Sequence, residues 1–237
     1  MTAPTFNRPT RLGVLASGGG SNLQSLFDYF DDAGLGLAEV AWVGSDRPMA
    51  GALDRARARD VPADTIDHAD ADALLERLAT RRIELLVLAG YLKFVPAPVT
   101  RFHRGRVINV HPALLPSFGG AGMYGMRVHA AVIASGARVS GATVHFVDDA
   151  YDRGPIIAQW PVPVLPQDTA DTLGRRVLAV EHLLLPRAVA AVATGHASLG
   201  DDDRVVLDAA GTHADQPFAL PGMLPAVGMD LLLPVTP

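Results

Sequence analysis

Two patterns of apolar residues recur along the chain, short continuous apolar runs and stretches with apolar residues three or four positions apart. The runs predict buried strands at residues 11–16, 39–43, 84–88, 106–109, 139–147 and 155–164. The wider spacing predicts amphipathic helices at residues 23–33, 49–58, 72–82, 126–135 and 169–193. This alternation predicts an α/β fold with a doubly wound, mainly parallel, Rossmann-like sheet.

The C-terminal half of the chain carries two long apolar runs joined by a polar turn that contains glycine. The runs at 139–147 and 155–164 therefore predict an antiparallel strand in that half. Residues 201–207 are predicted to form a terminal edge strand. We expect one domain over residues 1–208, followed by an irregular extension at 209–237 that is rich in Pro and Gly.

A glycine-rich loop, Ser-Gly-Gly-Gly-Ser-Asn at residues 17–22, stands between the first predicted strand and the first predicted helix. Backbone N–H groups at a helix N-terminus form a site for anions. No lysine follows the glycines, so this is not a P-loop, and Leu23 breaks the dinucleotide-binding spacing. The loop therefore favours phosphate binding without a full dinucleotide. The alternative is a tight turn in which Ser21 caps the helix.

Candidate chemistry lies at the end of the strand over residues 106–109. Asn109 and His111 alternate, so their side chains share one face of a strand. An amide and an imidazole on one face can stabilise and protonate a developing oxyanion, and Asp152 is available to orient and charge the imidazole. The set indicates acyl transfer without a covalent enzyme intermediate. The alternative is an ordinary strand-end histidine with Asp152 opening a turn, and His145 is interpreted as an interior histidine.

Composition narrows the class of protein. The chain of 237 residues has a net charge of −5 and no basic stripe, which argues against a nucleic-acid partner. It has no cysteine and no paired histidines at metal-ligand spacing, so neither disulfides nor a metal are expected. No apolar run is long enough for a membrane span and no signal peptide is evident. We expect a cytoplasmic monomer or homodimer that acts on small molecules.

Four segments, at residues 17–24, 88–91, 109–116 and 145–157, together resemble the phosphoribosylglycinamide formyltransferases. These are the folate-dependent transformylases of purine synthesis. The likeness runs from about residue 11 to about residue 208 in unchanged order. Glu181-His182, followed by Pro186, also matches a family signature in the last predicted helix.

The resemblance implies the formyltransferase fold, with a phosphate-binding N-terminal half and a folate-binding, catalytic C-terminal half. It implies that the catalytic residues are Asn109, His111 and Asp152. It places the substrate phosphate on Gly20, Ser21 and Asn22, and gives Glu181 a contact with the ribosylglycinamide. It implies a folate site, formed largely by backbone groups, at Leu92, Lys93, Phe94, Val95, Asn109, Asp148, Asp149, Ala150, Tyr151 and Asp152. A cis peptide is implied at Leu115–Pro116.

The reaction implied is direct transfer of the formyl group from the co-substrate 10-formyltetrahydrofolate to the amine of phosphoribosylglycinamide, without a metal. Asn109 and a protonated His111 would bind the oxyanion of the tetrahedral intermediate, and Asp152 would favour the imidazolium. The sequence departs from the family in two places. Residues 65–78 lack the arginine often found near the substrate phosphate, and the loop at 118–125 is longer and richer in glycine.

Three alternatives stay open. Formyltetrahydrofolate hydrolases share the catalytic residues but carry an extra N-terminal regulatory domain. Methionyl-tRNA formyltransferases share the chemistry but carry a C-terminal RNA-binding domain, which the acidic composition disfavours. A non-catalytic nucleotide-binding module would need only the glycine loop, and would leave Asn109, His111 and Asp152 unexplained.

Overall fold

The computed structural model describes residues 8–32 and 36–207, so the extension predicted at 209–237 lies outside the described residues. The strands are β1 (Thr10–Leu15), β2 (Ala38–Ser45), β3 (Ala63–Thr65), β4 (Leu85–Leu88), β5 (Val107–His111), β6 (Val139–Phe146), β7 (Ile156–Pro163), β8 (Ala197–Leu199) and β9 (Val205–Leu207). The helices are α1 (Ser21–Asp32), α2 (Gly51–Arg57), α3 (Ala71–Thr80), α4 (Ala97–Phe102), α5 (Met126–Ala134) and α6 (Ala170–Ala193).

Seven of the described strands form one sheet in the order β3-β2-β1-β4-β5-β6-β7. Neighbours from β3 to β5 pair in parallel, whereas β6 runs antiparallel to both β5 and β7. The direction in which strands are added reverses between β1 and β4. Ligands of doubly wound sheets bind at the carboxyl ends of the strands beside this reversal. The predicted mainly parallel sheet with an antiparallel strand in the C-terminal half is confirmed.

The pairing of β5 with β6 brings polar residues together at the end of the sheet. Asn109 lies opposite His145, and His111 lies opposite Thr143. Directly opposed residues of an antiparallel pair project to the same face, so their side chains are neighbours. The register between these two strands therefore adds His145 to the pair of residues that the sequence pattern singled out.

Helices cover both faces of the sheet. Buried residues of α1, α2, α5 and α6 form one apolar cluster, and those of α3 and α4 belong to a second. The largest contribution comes from α6, which buries Leu173, Val177 and Leu184 completely. This helix begins at a capping box, in which the side chains of Thr169 and Thr172 each accept the other's backbone N–H. No helix within the described ranges is long and apolar enough to span a bilayer.

The sequence pattern misses three short elements and misplaces one. β3, α4 and β8 contain too few residues for a periodic apolar pattern to form. The edge strand predicted at 201–207 is wrong, because only Val205–Leu207 is a strand and it pairs with β8 in a separate two-stranded sheet. The preceding aspartates form a turn, where Asp202 accepts the backbone N–H of Arg204.

We predict that Gly141→Ala destabilises the protein, because β6 and β7 are too close at this position for a side chain. A Cβ there would overlap the carbonyl oxygen of Trp160 and lie 2.7 Å from Leu114 Cδ2. Overpacking of this kind costs about 1–3 kcal/mol, which a fall in the urea midpoint of unfolding would measure. Gly18→Ala is the matched control, because a Cβ at Gly18 meets no atom within 4 Å. Equal midpoints for the two variants would contradict the packing of β6 on β7.

Candidate active site

A cavity of about 500 Å³ opens at the carboxyl ends of the central strands, beside the reversal between β1 and β4. Its wall combines the loops after β1, β4 and β5, the turn after β6, and one side of α6. Thirteen of the residues predicted for the site line it. They are Gly20, Ser21, Asn22, Leu92, Lys93, Phe94, Val95, Asn109, His111, Ala150, Tyr151, Asp152 and Glu181.

One end of the cavity is formed by the glycine loop and the start of α1. The first backbone N–H groups of a helix have no intrahelical acceptor, so those of Ser21 and Asn22 are available to a ligand. Gly20 has a φ of +75°, and a Cβ there would lie 2.8 Å from the backbone of Ala52. Arg55 supports the loop from outside the cavity, where its Nε donates to the carbonyl oxygen of Gly19 at 2.7 Å. The geometry suits an anion such as a phosphate.

Glu181 of α6 reaches the same end of the cavity from the opposite side. Its Oε2 accepts a hydrogen bond of 2.6 Å from Asn22 Nδ2. Burial raises the pKa of Glu181 to about 7, and the hydrogen bond from Asn22 opposes that rise. Near neutral pH the carboxyl group is therefore present in both its neutral and its charged form. It can accept a hydrogen bond from a ligand or pair with a positively charged group of the ligand.

Asp152 lies between two histidines at the centre of the cavity. Its Oδ2 is 3.6 Å from His111 Nδ1, and its Oδ1 is 3.8 Å from His145 Nε2. The backbone N–H of Gly120 donates to Asp152 Oδ2 at 2.8 Å. Asp152 has a φ of +53°, a left-handed conformation that is uncommon for a residue with a side chain. The loop at 118–125 and the turn after β6 together hold this carboxylate in place.

The hydrogen bonds of His111 determine which of its ring nitrogens carries the proton. Nε2 lies 2.9 Å from the carbonyl oxygen of Phe118, which can only accept, so Nε2–H donates. Burial lowers the pKa of His111, and Asp152 raises it by less. The resting imidazole is therefore favoured in its neutral form, and its bare Nδ1 faces a carboxylate. The imidazolium expected when His111 binds an oxyanion stays a prediction. Uptake of a proton at Nδ1 would let both nitrogens donate.

His145 fixes the orientation of the Asn109 amide. Its Nδ1 donates to the carbonyl oxygen of Phe146 at 2.7 Å, which leaves Nε2 as an acceptor in the neutral ring. Asn109 Nδ2 lies 3.1 Å from that Nε2 and donates to it. Burial lowers the pKa of His145, so the ring stays neutral and Nε2 remains an acceptor. One amide hydrogen of Asn109 is thus used, and the second is free to donate to a ligand in the cavity.

The segment that follows His111 is held by a compact hydrogen-bond network. Thr143 donates to the carbonyl oxygen of Ala113 and accepts the backbone N–H of Leu115. Gln159 donates from its amide to Thr143 and to the carbonyl oxygen of Leu115. The Leu115–Pro116 peptide is cis, as the resemblance implied. These bonds anchor the segment as a fixed wall of the cavity.

A second network joins the two ends of the cavity, and the sequence analysis missed it. Ser17 donates from its hydroxyl to Asp46 Oδ1 at 2.6 Å and accepts the backbone N–H of Leu92 at 2.9 Å. The Asp46 side chain is 4% exposed. Ser17 thereby links the loops after β1, β2 and β4. A Ser-Asp pair at the ends of two separate strands carries no signal in the sequence before the strand order is known.

The turn after β6 contributes to the cavity unevenly. Tyr151 contacts Phe94, with ring centroids 4.9 Å apart. Asp148 and Asp149, both predicted for the folate site, do not line the cavity. Asp149 instead accepts from Thr100 and Arg101 of α4, each at 2.7 Å. Nothing in the local sequence indicates α4 as its partner. Among the described residues, no cluster of histidines and carboxylates is arranged to hold a metal.

The centre of the cavity therefore combines a free amide hydrogen, a neutral imidazole and a partly buried carboxylate. An amide donor can stabilise an oxyanion, and a neutral imidazole beside a carboxylate can take a proton from a nucleophile. The glycine loop and helix N-terminus at one end suit an anion, and apolar and aromatic side chains lie at the other end. Such a cavity suits transfer of a small group between two bound molecules.

Comparison with known proteins agrees with this geometry. Phosphoribosylglycinamide formyltransferase of Vigna unguiculata is 41% identical over 192 residues, which cover 78% of this chain and 61% of the relative. The crystal structure of glycinamide ribonucleotide transformylase 1 from Symbiobacterium toebii matches with a TM-score of 0.77 at 38% identity, over 85% of this chain and 96% of that one. A formyltetrahydrofolate deformylase from Pseudomonas syringae matches with a TM-score of 0.75 at 26% identity, over 85% and 66%.

The chain thus spans about three fifths of the length of the Vigna relative and nearly all of the Symbiobacterium structure. A family model described as formyl transferase matches residues 10–189, which include the sheet, the cavity and most of α6. On this match, the chain belongs to the formyl transferase family.

Proposed function

We propose that this chain transfers the formyl group of 10-formyltetrahydrofolate to the amine of 5'-phosphoribosylglycinamide, a step of purine biosynthesis. The observation that carries the proposal is the meeting of Asn109, His111 and Asp152 in one cavity whose far end is an anion site. The anion site accounts for a phosphorylated amine, and the three side chains account for the chemistry.

The substrates would occupy opposite ends of the cavity. The phosphate would rest on the backbone N–H groups of Gly20, Ser21 and Asn22, and Glu181 would contact the ribosylglycinamide. The folate would lie along Leu92 to Val95 and along the turn at Ala150 to Asp152, where Phe94 and Tyr151 supply an aromatic wall. Asp148 and Asp149 would act on this end indirectly, since they shape the turn without lining the cavity.

The residues at the centre would carry the proton. The neutral amine attacks the formyl carbon, and the carbonyl oxygen becomes an oxyanion that accepts the free amide hydrogen of Asn109. His111 accepts the amine proton at Nδ1, next to Asp152, which stabilises the imidazolium only as it forms. The proton then passes, directly or through water, to N10 of the folate as the bond from carbon to N10 breaks. For His111 to bind the oxyanion as well, its Nε2–H would have to leave the carbonyl oxygen of Phe118.

Hydrolysis of formyltetrahydrofolate is the second candidate, because the Pseudomonas deformylase shares the fold. A water molecule would replace the amine as nucleophile. The two reactions differ in whether the folate is deformylated without an amine, which makes them separable in one assay.

We predict that absorbance of the deformylated folate grows only when 10-formyltetrahydrofolate and phosphoribosylglycinamide are both present. The reason is that the amine is the nucleophile that releases the folate. Omitting the amine is the control. Equal rates with and without the amine would identify a hydrolase, and no release in either case would favour a binding module without catalysis.

We predict that His111→Ala lowers kcat about 10²- to 10³-fold, the usual loss when one group that stabilises the transition state is removed. Steady-state rates would measure this, and the urea midpoint would check that the variant stays folded. His68→Ala is the matched control, because His68 is an exposed histidine outside the cavity. Turnover within a few-fold of the parent would remove His111 from the mechanism.

We predict that Glu181→Gln flattens the pH dependence of stability. The parent's Glu181 has a pKa of about 7 when folded, against an ordinary value of 4.5, so folding binds a proton between these values. The free energy of unfolding should therefore fall as pH rises from about 4.5 to about 7, by an amount on the order of 3 kcal/mol. Urea unfolding at several pH values would measure it. Glu76→Gln, at an exposed carboxyl, should leave the slope unchanged; the same slope in Glu181→Gln would contradict the raised pKa.

A further inference from the structure

The charges that line the cavity are unbalanced for the substrate that we propose. Among the residues that the structure describes, three acidic side chains line it, those of Asp152, Asp171 and Glu181. Two permanent cations of the described chain line it, Lys93 and Arg175. A phosphate monoester carries nearly two negative charges at neutral pH. The start of α1 supplies only about half a positive charge. A cation at the anion end would complete this balance. Arg77, the arginine within residues 65–78, pairs with Asp64 and does not line the cavity.

Arg175 lies on the side of α6 that lines the cavity. The residues of α6 that line the cavity are Asp171, Gly174, Arg175, Leu178 and Glu181, which form one stripe along the helix. Arg175 stands six residues before Glu181, or about 9 Å along the axis. Glu181 is bonded to Asn22 of the anion site, so the stripe leads from that site to Arg175.

The guanidinium of Arg175 is exposed and makes no hydrogen bond or ion pair with the rest of the described chain. The next residue, Arg176, behaves differently, since it donates to both carboxylate oxygens of Asp168. Even Asp171, one turn before Arg175 on the same stripe, is not within ion-pair distance of it. Arg175 thus has all its donors available to a ligand.

The other nearby cations are less suitable. Lys93 stands beside Phe94, whose ring contacts Tyr151, so it belongs to the opposite end of the cavity. Arg55 reaches the glycine loop, but it lies outside the cavity and already donates to Gly19 and to Gln24. Arg175 is the cation that combines a place in the cavity wall with an unused guanidinium.

We propose that Arg175 is the phosphate-binding cation of this chain. Its guanidinium binds the substrate phosphate from the side of α6, and the glycine loop binds the same phosphate at the start of α1. The inference rests on the proposed function and adds the residue that decides preference for a phosphorylated amine. Arginine suits the role because its planar donors match phosphate oxygens in pairs.

The test compares Arg175→Leu with the parent in steady-state transfer. A hydrogen-bonded charge pair of this kind corresponds to about a ten- to hundred-fold rise in KM for phosphoribosylglycinamide. The KM for the folate should stay within about two-fold, and Arg175→Lys should recover part of the loss. Arg138→Gln is the matched control, since Arg138 is an exposed arginine outside the cavity.

Two further measurements separate the inference from a general loss of structure. With ribosylglycinamide that lacks the phosphate, parent and Arg175→Leu should have equal kcat/KM. Inorganic phosphate, titrated into each protein by calorimetry, should bind Arg175→Leu at least ten-fold more weakly than the parent. The calorimetric result does not depend on catalysis, so it stands even if the parent transfers no formyl group.

Other outcomes overturn the assignment. A raised KM for the folate alone would place Arg175 at the folate end. A loss of equal size with the phosphate-free amine would make its role structural. Equal phosphate affinity in parent and variant would leave the phosphate to the backbone or to Arg55, and the same loss in Arg55→Leu alone would identify that residue instead.

Discussion

The site depends on one partly buried carboxylate, Asp152, which lies between two imidazoles that burial keeps neutral. A shielded charge without partners is costly, and the backbone N–H of Gly120 donates to this one. His111 Nδ1 and His145 Nε2, the unprotonated nitrogens of the two neutral rings, lie 3.6 and 3.8 Å from it. Three separate features serve this contact: the register of β5 with β6, the left-handed turn at Asp152, and the loop at 118–125. Each brings one polar group to the same small volume.

Desolvation acts differently on the several ionisable groups of the cavity. It keeps the two histidines neutral and raises the pKa of Glu181, so the resting site carries less charge than its composition suggests. The central imidazole can then gain a proton during the reaction, because the carboxylate beside it stabilises the charged form as it appears. In the proposed transfer, a positive charge already present at rest would have used this stabilisation before the attack of the amine.

Much of the architecture could be predicted from the sequence, because long strands and helices leave a repeated signal. Apolar runs predict β1, β4 and β6, and apolar periodicity predicts α6. The alternation of such strands and helices implies the doubly wound sheet. The three-residue strands β3 and β8 leave no such signal. The edge strand expected at 201–207 was wrong because the sequence carries no indication of β8, the strand with which Val205–Leu207 pairs. Pairing with another strand decides whether a polar segment becomes a strand.

The sequence by itself determined which residue types stand at the strand ends, that Asn109 and His111 share a face, and that a glycine loop precedes a helix. These properties follow from local spacing. Only the tertiary structure decided the proton positions on His111 and His145, the bond between Ser17 and Asp46, and the turning of Asp149 toward α4. The reason is physical: hydrogen-bond partners and desolvation come from segments distant in the chain, so no local pattern can encode them.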